Sequence, residues 1–187
     1  FQAQPMGYFP DFTTPEGTAW YGGNSSNPLF SVDHVALTDG NTLYVEQVDK
    51  PLAEALVEEQ TFEIFTAATY DEETRQLAME ADVVATAEVM GKFYVTVSLL
   101  EDSIVGRQVV PGGVDTAYVF RNVFRGTMNG VDGDVFYDGQ VYVNDEYIYK
   151  YNIELDSIYN ADQCYIMTYI YDKTDGKILQ TAMVKVK

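Results

Sequence analysis

From residue 62 to the C-terminus, apolar side chains recur at every second position. Phe62, Ile64 and Thr66 alternate with Glu63 and Phe65. Leu77, Met79, Ala81 and Val83 alternate with Ala78, Glu80 and Asp82. Phe93, Val95, Val97 and Leu99 alternate with Tyr94, Thr96 and Ser98. A period of two puts one set of side chains on each face of a strand, so these runs predict half-buried strands of an antiparallel sheet. Turn chemistry separates them. Tyr70-Asp71-Glu72-Glu73 joins the first two strands and Met90-Gly91-Lys92 precedes the third. Asn129-Gly130, Asp132-Gly133 and Asp138-Gly139 mark later turns, and Lys173-Thr174-Asp175-Gly176 joins strands at 163–172 and 177–187. The pattern predicts an all-β fold, an antiparallel β-sandwich of immunoglobulin-like or jelly-roll-like kind. Its core should include Phe62, Leu77, Met79, Val83, Val95, Val97, Val184 and Val186.

One short helix interrupts the pattern, near Leu52–Glu58. Asp49 is suited to cap its free amides and Pro51 to stand in its first turn. Leu52, Ala55 and Leu56 then form an apolar stripe for the core, while Glu54 and Glu58 face water. Thr42–Gln47 is a short strand candidate. Residues 1–41 are rich in Gly, Pro, Ser and Thr with scattered aromatics. That composition predicts an extended arm packed on the main domain or on a neighbour, leaving 42–187 as the sandwich domain.

Charge narrows the partners. The 187 residues hold 29 acids and 11 bases, a net charge of −18. A field of that sign repels phosphate backbones and anionic membrane surfaces, which argues against nucleic-acid binding. No apolar run approaches the roughly 20 residues that span a bilayer, so direct membrane insertion by this chain is not expected. No signal-like segment opens the chain; it starts at Phe1, the pattern of a mature or trimmed form. The single cysteine, Cys164, has no internal disulfide partner and reads as a small buried hydrophobe.

Catalytic constellations are scarce. His34 is the sole histidine, so a two-histidine metal site cannot be built. No Gly-x-Ser-x-Gly elbow is present. Asp132, Asp134 and Asp138 sit among glycines but do not follow the spacing of a calcium loop. The expectation is a protein that is not an enzyme and needs no metal or cofactor. The tyrosines are the candidate binding groups. Tyr147, Tyr149 and Tyr151 share one strand face, and Tyr165, Tyr169 and Tyr171 share another. Tyrosine gives a large contact area with a polar tip, which suits a protein partner or a glycan.

The ordered set Glu101-Asp102-Ser103-Ile104-Val105-Gly106-Arg107-Gln108, then Tyr118, Asn122, Val123 and Arg125, carries a family resemblance. From about Leu52 onward the chain resembles the C-terminal domain of the Omp28 outer-membrane protein family of Bacteroidetes. Many relatives carry histidines around the asparagine; here Phe120, Arg121, Asn122 and Val123 occupy those places, so no metal role carries over. Relatives often place a thioredoxin-like region ahead of this domain, and the paired cysteines of such a region are not found here. Read physically, Glu101 and Asp102 end a strand and Gly106 frees the backbone. Gln108, Asn122 and Arg125 are suited to bond backbone atoms in a long connection, with Arg125 paired to Glu101 or Asp102. The resemblance implies a cell-envelope location, outer membrane-associated or extracellular. The expected function is a non-enzymatic interaction or adhesion module of a Gram-negative bacterium, binding protein or glycan at the cell surface. A carbohydrate-binding or weakly glycan-processing surface protein and a structural spacer are the alternatives.

Overall fold

The computed structural model describes residues 9–21, 31–33, 35–36 and 46–187. His34 and the first four residues of the 42–47 strand candidate lie outside them. In chain order the elements are α1 (Pro15–Tyr21), β1 (Ser31–Val32), β2 (Val35–Ala36), α2 (Glu46–Ala55), β3 (Phe62–Tyr70), β4 (Gln76–Ala85), β5 (Val89–Glu101) and β6 (Ile104–Val110). There follow β7 (Gly113–Phe120), β8 (Val123–Thr127), β9 (Asp134–Val141), β10 (Glu146–Glu154), a 3-10 turn at Ala161–Gln163, β11 (Cys164–Asp172) and β12 (Ile178–Lys185).

Two antiparallel sheets make the sandwich. One has the order β10-β4-β3. The other has the order β12-β11-β5-β8, with β9 also pairing β5. The inward faces are the period-two sets. Leu77, Met79, Ala81 and Val83 of β4 meet Phe93, Val95, Val97 and Leu99 of β5 and Ile166 and Ile170 of β11, all buried. Of the eight core positions read from the sequence, seven are buried and Val184 is partly buried against the core. Phe62 anchors one half of the core through edge-on contacts with Phe93 and Phe136, each at 5.3 Å. A side-chain bond from Gln180 Nε2 to the Phe62 carbonyl, 3.0 Å, ties β12 to β3 along one side.

Cys164 is fully buried, and burial, reinforced by the Glu101 charge, pushes its thiol up to about 12. A thiol of that kind is almost wholly protonated at neutral pH. Native protein is therefore expected to resist iodoacetamide and to react once unfolded in urea. Alkylation of the folded chain at the rate of free cysteine would contradict this, with mass spectrometry as the readout.

Several local readings need correction. There are two α-helices among the described residues. The unforeseen one, α1, starts behind Thr14, whose Oγ1 accepts from the Gly17 amide at 3.0 Å, with Pro15 in the first position. The N-terminal segment is thus not extended throughout. α2 begins at Glu46, so Asp49 and Pro51 lie inside it and the tail of the strand candidate is helical. Its apolar residue Leu52, and Leu56 just beyond it, are exposed, because strand side chains already fill the space between the sheets. Met90-Gly91-Lys92 is not a turn but part of β5. A Cβ on Gly91 would come within 2.8 Å of the Phe93 ring and the Asp172 carboxylate, so glycine is kept there by close approach. Asp138-Gly139 likewise lies within β9, with Gly139 opposite Gly91. No described helix is long and apolar enough to cross a membrane.

Candidate functional site

β5 ends at Glu101, opposite Cys164 of β11 and Val123 of β8. Arg125 on β8 reaches back to it. Arg125 Nη2 and Nε lie 2.8 and 2.9 Å from Glu101 Oε2, and the Asn160 amide donates to Oε1 at 2.9 Å. The guanidinium lies between two rings, 5.2 Å from the Phe12 centroid and 4.9 Å from that of Tyr159. The side chains are only 14% and 7% exposed. Three donors engage the carboxylate, so the Glu101–Arg125 pair ties the end of β5 to β8 and to the 156–160 loop, and the Phe12 ring brings the N-terminal segment against it.

The rest of the motif forms a strand-to-hairpin junction. Asp102 accepts from Arg121 Nη1 at 2.8 Å and from Ser103 Oγ at 3.2 Å. Burial opposes ionisation of Asp102, but these bonds outweigh it and hold the carboxyl below its usual range. Ser103 and Asn122 both have positive φ, 57° and 49°. The stretch between them is not a long connection. It is the β6–β7 hairpin, and Gln108 stands within its ladder opposite Asp115. Gly106 does not supply an unusual backbone angle; a Cβ there would come within 3.0 Å of Pro10 and 3.2 Å of Phe120.

The tyrosines do not form an open platform. Tyr147, Tyr149 and Tyr151 point towards the core side of β10 and are half-buried; its exposed positions are Glu146, Ile148, Lys150, Asn152 and Glu154. Tyr147 packs 4.6 Å from Phe136, and Tyr149 stacks on Tyr151 at 6.4 Å. Burial pushes the Tyr149 phenol up to about 12. Burial and a hydrogen bond from its hydroxyl to Asp134 raise Tyr151 further. Tyr169 is buried. Tyr165 and Tyr171 are half-buried, and Tyr171 donates to the Asp132 carbonyl at 2.7 Å. The charged and amide residues interleaved with the β10 tyrosines were the sequence signal for this: they claim the solvent face.

One exposed apolar surface lies on the hairpin. Cross-strand register pairs Val105 with Val119 and Val109 with Val114. All four are 40–65% exposed, although valine side chains usually seek burial. Nearby on the ribbon, Phe12 packs edge-on against Phe120 at 4.9 Å, and the Arg107 guanidinium lies 5.6 Å from the Phe9 ring. α1 docks alongside, with Trp20 4.9 Å from Phe124 and its Nε1 donating to the Val131 carbonyl at 2.7 Å. β6 and β7 pair only with each other among the described residues, which leave the outer edge of each without a strand partner. The clue in the sequence was Pro111-Gly112-Gly113 between two valine-rich runs.

An open polar groove of about 340 Å³ lies at one end of the sandwich, lined by Tyr70, Arg75, Tyr159, Asn160, Asp162 and Lys187 among others. Arg75 spends its donors on the Leu155, Asp156 and Tyr159 carbonyls. No group of three metal-ligating side chains occurs among the described residues.

A family model described as outer membrane protein Omp28 matches residues 27–187. The match starts well ahead of Leu52 and takes in part of the segment read as an arm. No curated protein matches the chain. Among solved structures, a domain of the outer membrane lipoprotein Omp28 from Porphyromonas gingivalis is 23% identical, with 70% of this chain and 92% of that chain covered and a TM-score of 0.48. HBP35 of the same organism is 12% identical with a TM-score of 0.72, covering 91% of this chain and 57% of that one. At that identity the second likeness concerns the fold alone.

Proposed function

This chain belongs to the Omp28 family of outer-membrane proteins, and from that premise we propose that it is a non-catalytic interaction module that docks a protein partner on the exposed valine pairs of its β6–β7 ribbon. The family places it in the cell envelope. The observation that carries the docking role is the double valine pair, exposed on a ribbon whose outer edges no described strand covers. Such a face gains by leaving water, and such edges offer backbone donors and acceptors to another chain.

The partner class follows from the chemistry of the face. Valine methyls offer nothing to the hydroxyls of a sugar, and the six tyrosines of the two runs read from the sequence are half-buried or buried. A protein segment with apolar side chains and free backbone groups fits better. A non-catalytic role is supported by how the polar groups are spent: Glu101 on Arg125 and Asn160, Asp134 on Tyr151, Arg75 on carbonyls.

Binding of the purified chain to the outer-membrane fraction of its own source organism tests this. Changing Val105, Val109, Val114 and Val119 to threonine keeps the shape and strand preference but wets the face. Bound protein should fall by at least about tenfold, since central apolar contacts carry most of the energy of an interface. Protease treatment of the membranes should abolish binding and periodate should not. Unchanged binding by the threonine variant would count against the ribbon. Loss on periodate alone would favour a glycan and direct attention to the polar groove.

A further inference from the structure

The outer face of the β10-β4-β3 sheet is a second surface with unmet needs. Its register sets three rows side by side: Glu63–Val84–Glu146, Phe65–Asp82–Ile148 and Ala67–Glu80–Lys150. Phe65 is 58% exposed and Ile148 54%. Asp82 stands between them. Its Oδ1 is shut off from solvent, and no described residue hydrogen-bonds it. A carboxylate oxygen in that position has lost water and gained no donor, a state that costs stability unless a partner supplies one.

The charge around it is one-sided. Glu63, Glu80, Glu146 and Glu154 share the face with Asp82. Lys150 is the only base on these three strands, and it is engaged by Glu80 at 2.7 Å. We propose that this face binds a protein segment that presents a lysine or arginine between apolar side chains. The basic head meets the Asp82 carboxylate, its alkyl stem lies between Phe65 and Ile148, and Glu63 and Glu146 stand at the rim. Long basic side chains combine a charged tip with an apolar stem in this way. A complementary charge also steers the encounter and rejects acidic competitors. The inference is independent of the ribbon, which lies on different strands and carries almost no acid.

The arrangement implies a trade. Valine at position 82 would pack with Phe65 and Ile148 and suit a strand, so Asp82 is kept at some expense of stability. The test uses the full chain and two synthetic peptides of equal length, one alternating leucine with arginine, the other leucine with glutamate, followed by fluorescence anisotropy at physiological salt. The arginine peptide should bind and the glutamate peptide should not. Asp82→Val and Phe65→Ser should each weaken binding by at least about tenfold. Glu73→Gln, which removes one exposed acid from the β3–β4 turn, should change it by less than about twofold. Asp82→Val should also melt above the parent. Equal weakening by Asp82→Val and Glu73→Gln would mean diffuse attraction to an acidic protein and overturn the proposal. So would an arginine peptide that fails to bind, or an Asp82→Val protein that binds as well as the parent. Phe65→Ser keeps the question open to refutation if Asp82→Val does not fold.

Discussion

Arg125→Met is expected to destabilise the fold by about 3–5 kcal/mol, because it leaves the Glu101 carboxylate buried without its counter-charge. For a chain of this size that corresponds to a fall in melting temperature of roughly 6–20 °C. Both donors of the pair fall on one oxygen of Glu101, and the other oxygen holds the Asn160 amide. Methionine fills much of the space and preserves some contact with the Phe12 and Tyr159 rings, so the loss isolates charge from packing. Arg125→Lys should recover only part of it. An ammonium cannot keep two donors in a fixed fork and offers no planar group to the two rings as a guanidinium does. Glu101→Gln should also destabilise, since its amide nitrogen must face either the guanidinium or the Asn160 amide and Arg125 loses its counter-charge. A double replacement, Glu101→Leu with Arg125→Met, should be less damaging than Arg125→Met alone, because it removes the orphan charge. Urea unfolding midpoints across this set give the coupling directly. An unaltered midpoint for Arg125→Met would show that the pair contributes nothing.

The pair also marks how far the sequence can be read. Period-two alternation identified β3, β4, β5, β10, β11 and β12 and most of the core, because a sheet with one buried face writes its pattern locally, while the β6–β7 hairpin was read as a long connection. Local signals failed where a residue type has two uses. Asp138-Gly139 has the chemistry of a turn, yet the glycine serves close packing against Gly91 in a continuous ladder. Asp49 and Pro51 looked like a helix start because those types prefer one, but helix-forming Glu46 and Gln47 extend α2 in front of them. Tyrosines at alternate positions suggested a platform, whereas their polar neighbours decide which face meets water. The partners of Arg125 were beyond local reading. Phe12 and Tyr159 are distant in sequence on either side and meet it only after the sheets are assembled. The valine face had a legible hairpin signal, but its exposure depends on what the fold leaves uncovered.

Asn129→Asp should have the second largest effect, and one that depends on pH. The free side of β5 changes partner partway along: β9 pairs it up to Val95, and β8 pairs it from Ser98. At the changeover the Asn129 side chain takes the place of a strand. Its Oδ1 accepts from the Val97 amide at 3.0 Å and its Nδ2 donates to the Val95 carbonyl at 2.9 Å. Gly133 makes room for this, since with φ 71° a Cβ would lie 2.2 Å from the Val95 oxygen. Aspartate has the same shape but no donor, so the Val95 carbonyl goes unpaired. The new carboxylate also faces Asp134 Oδ2, which lies 3.3 Å from the amide nitrogen it replaces. The lost donor and the like charge together should cost about 2–4 kcal/mol at neutral pH. Burial and Asp134 both raise the folded-state pKa of the new group above its unfolded value of about 3.9. A raised folded pKa means stability that is present below the unfolded pKa and lost as pH rises through the folded one. The deficit relative to the parent should therefore be smallest near about pH 4 and grow towards neutrality. Paired urea melts at acid and neutral pH measure it. Equal deficits at both would leave the missing donor as the whole cause, and a variant as stable as the parent at neutral pH would remove Asn129 from its place in the ladder.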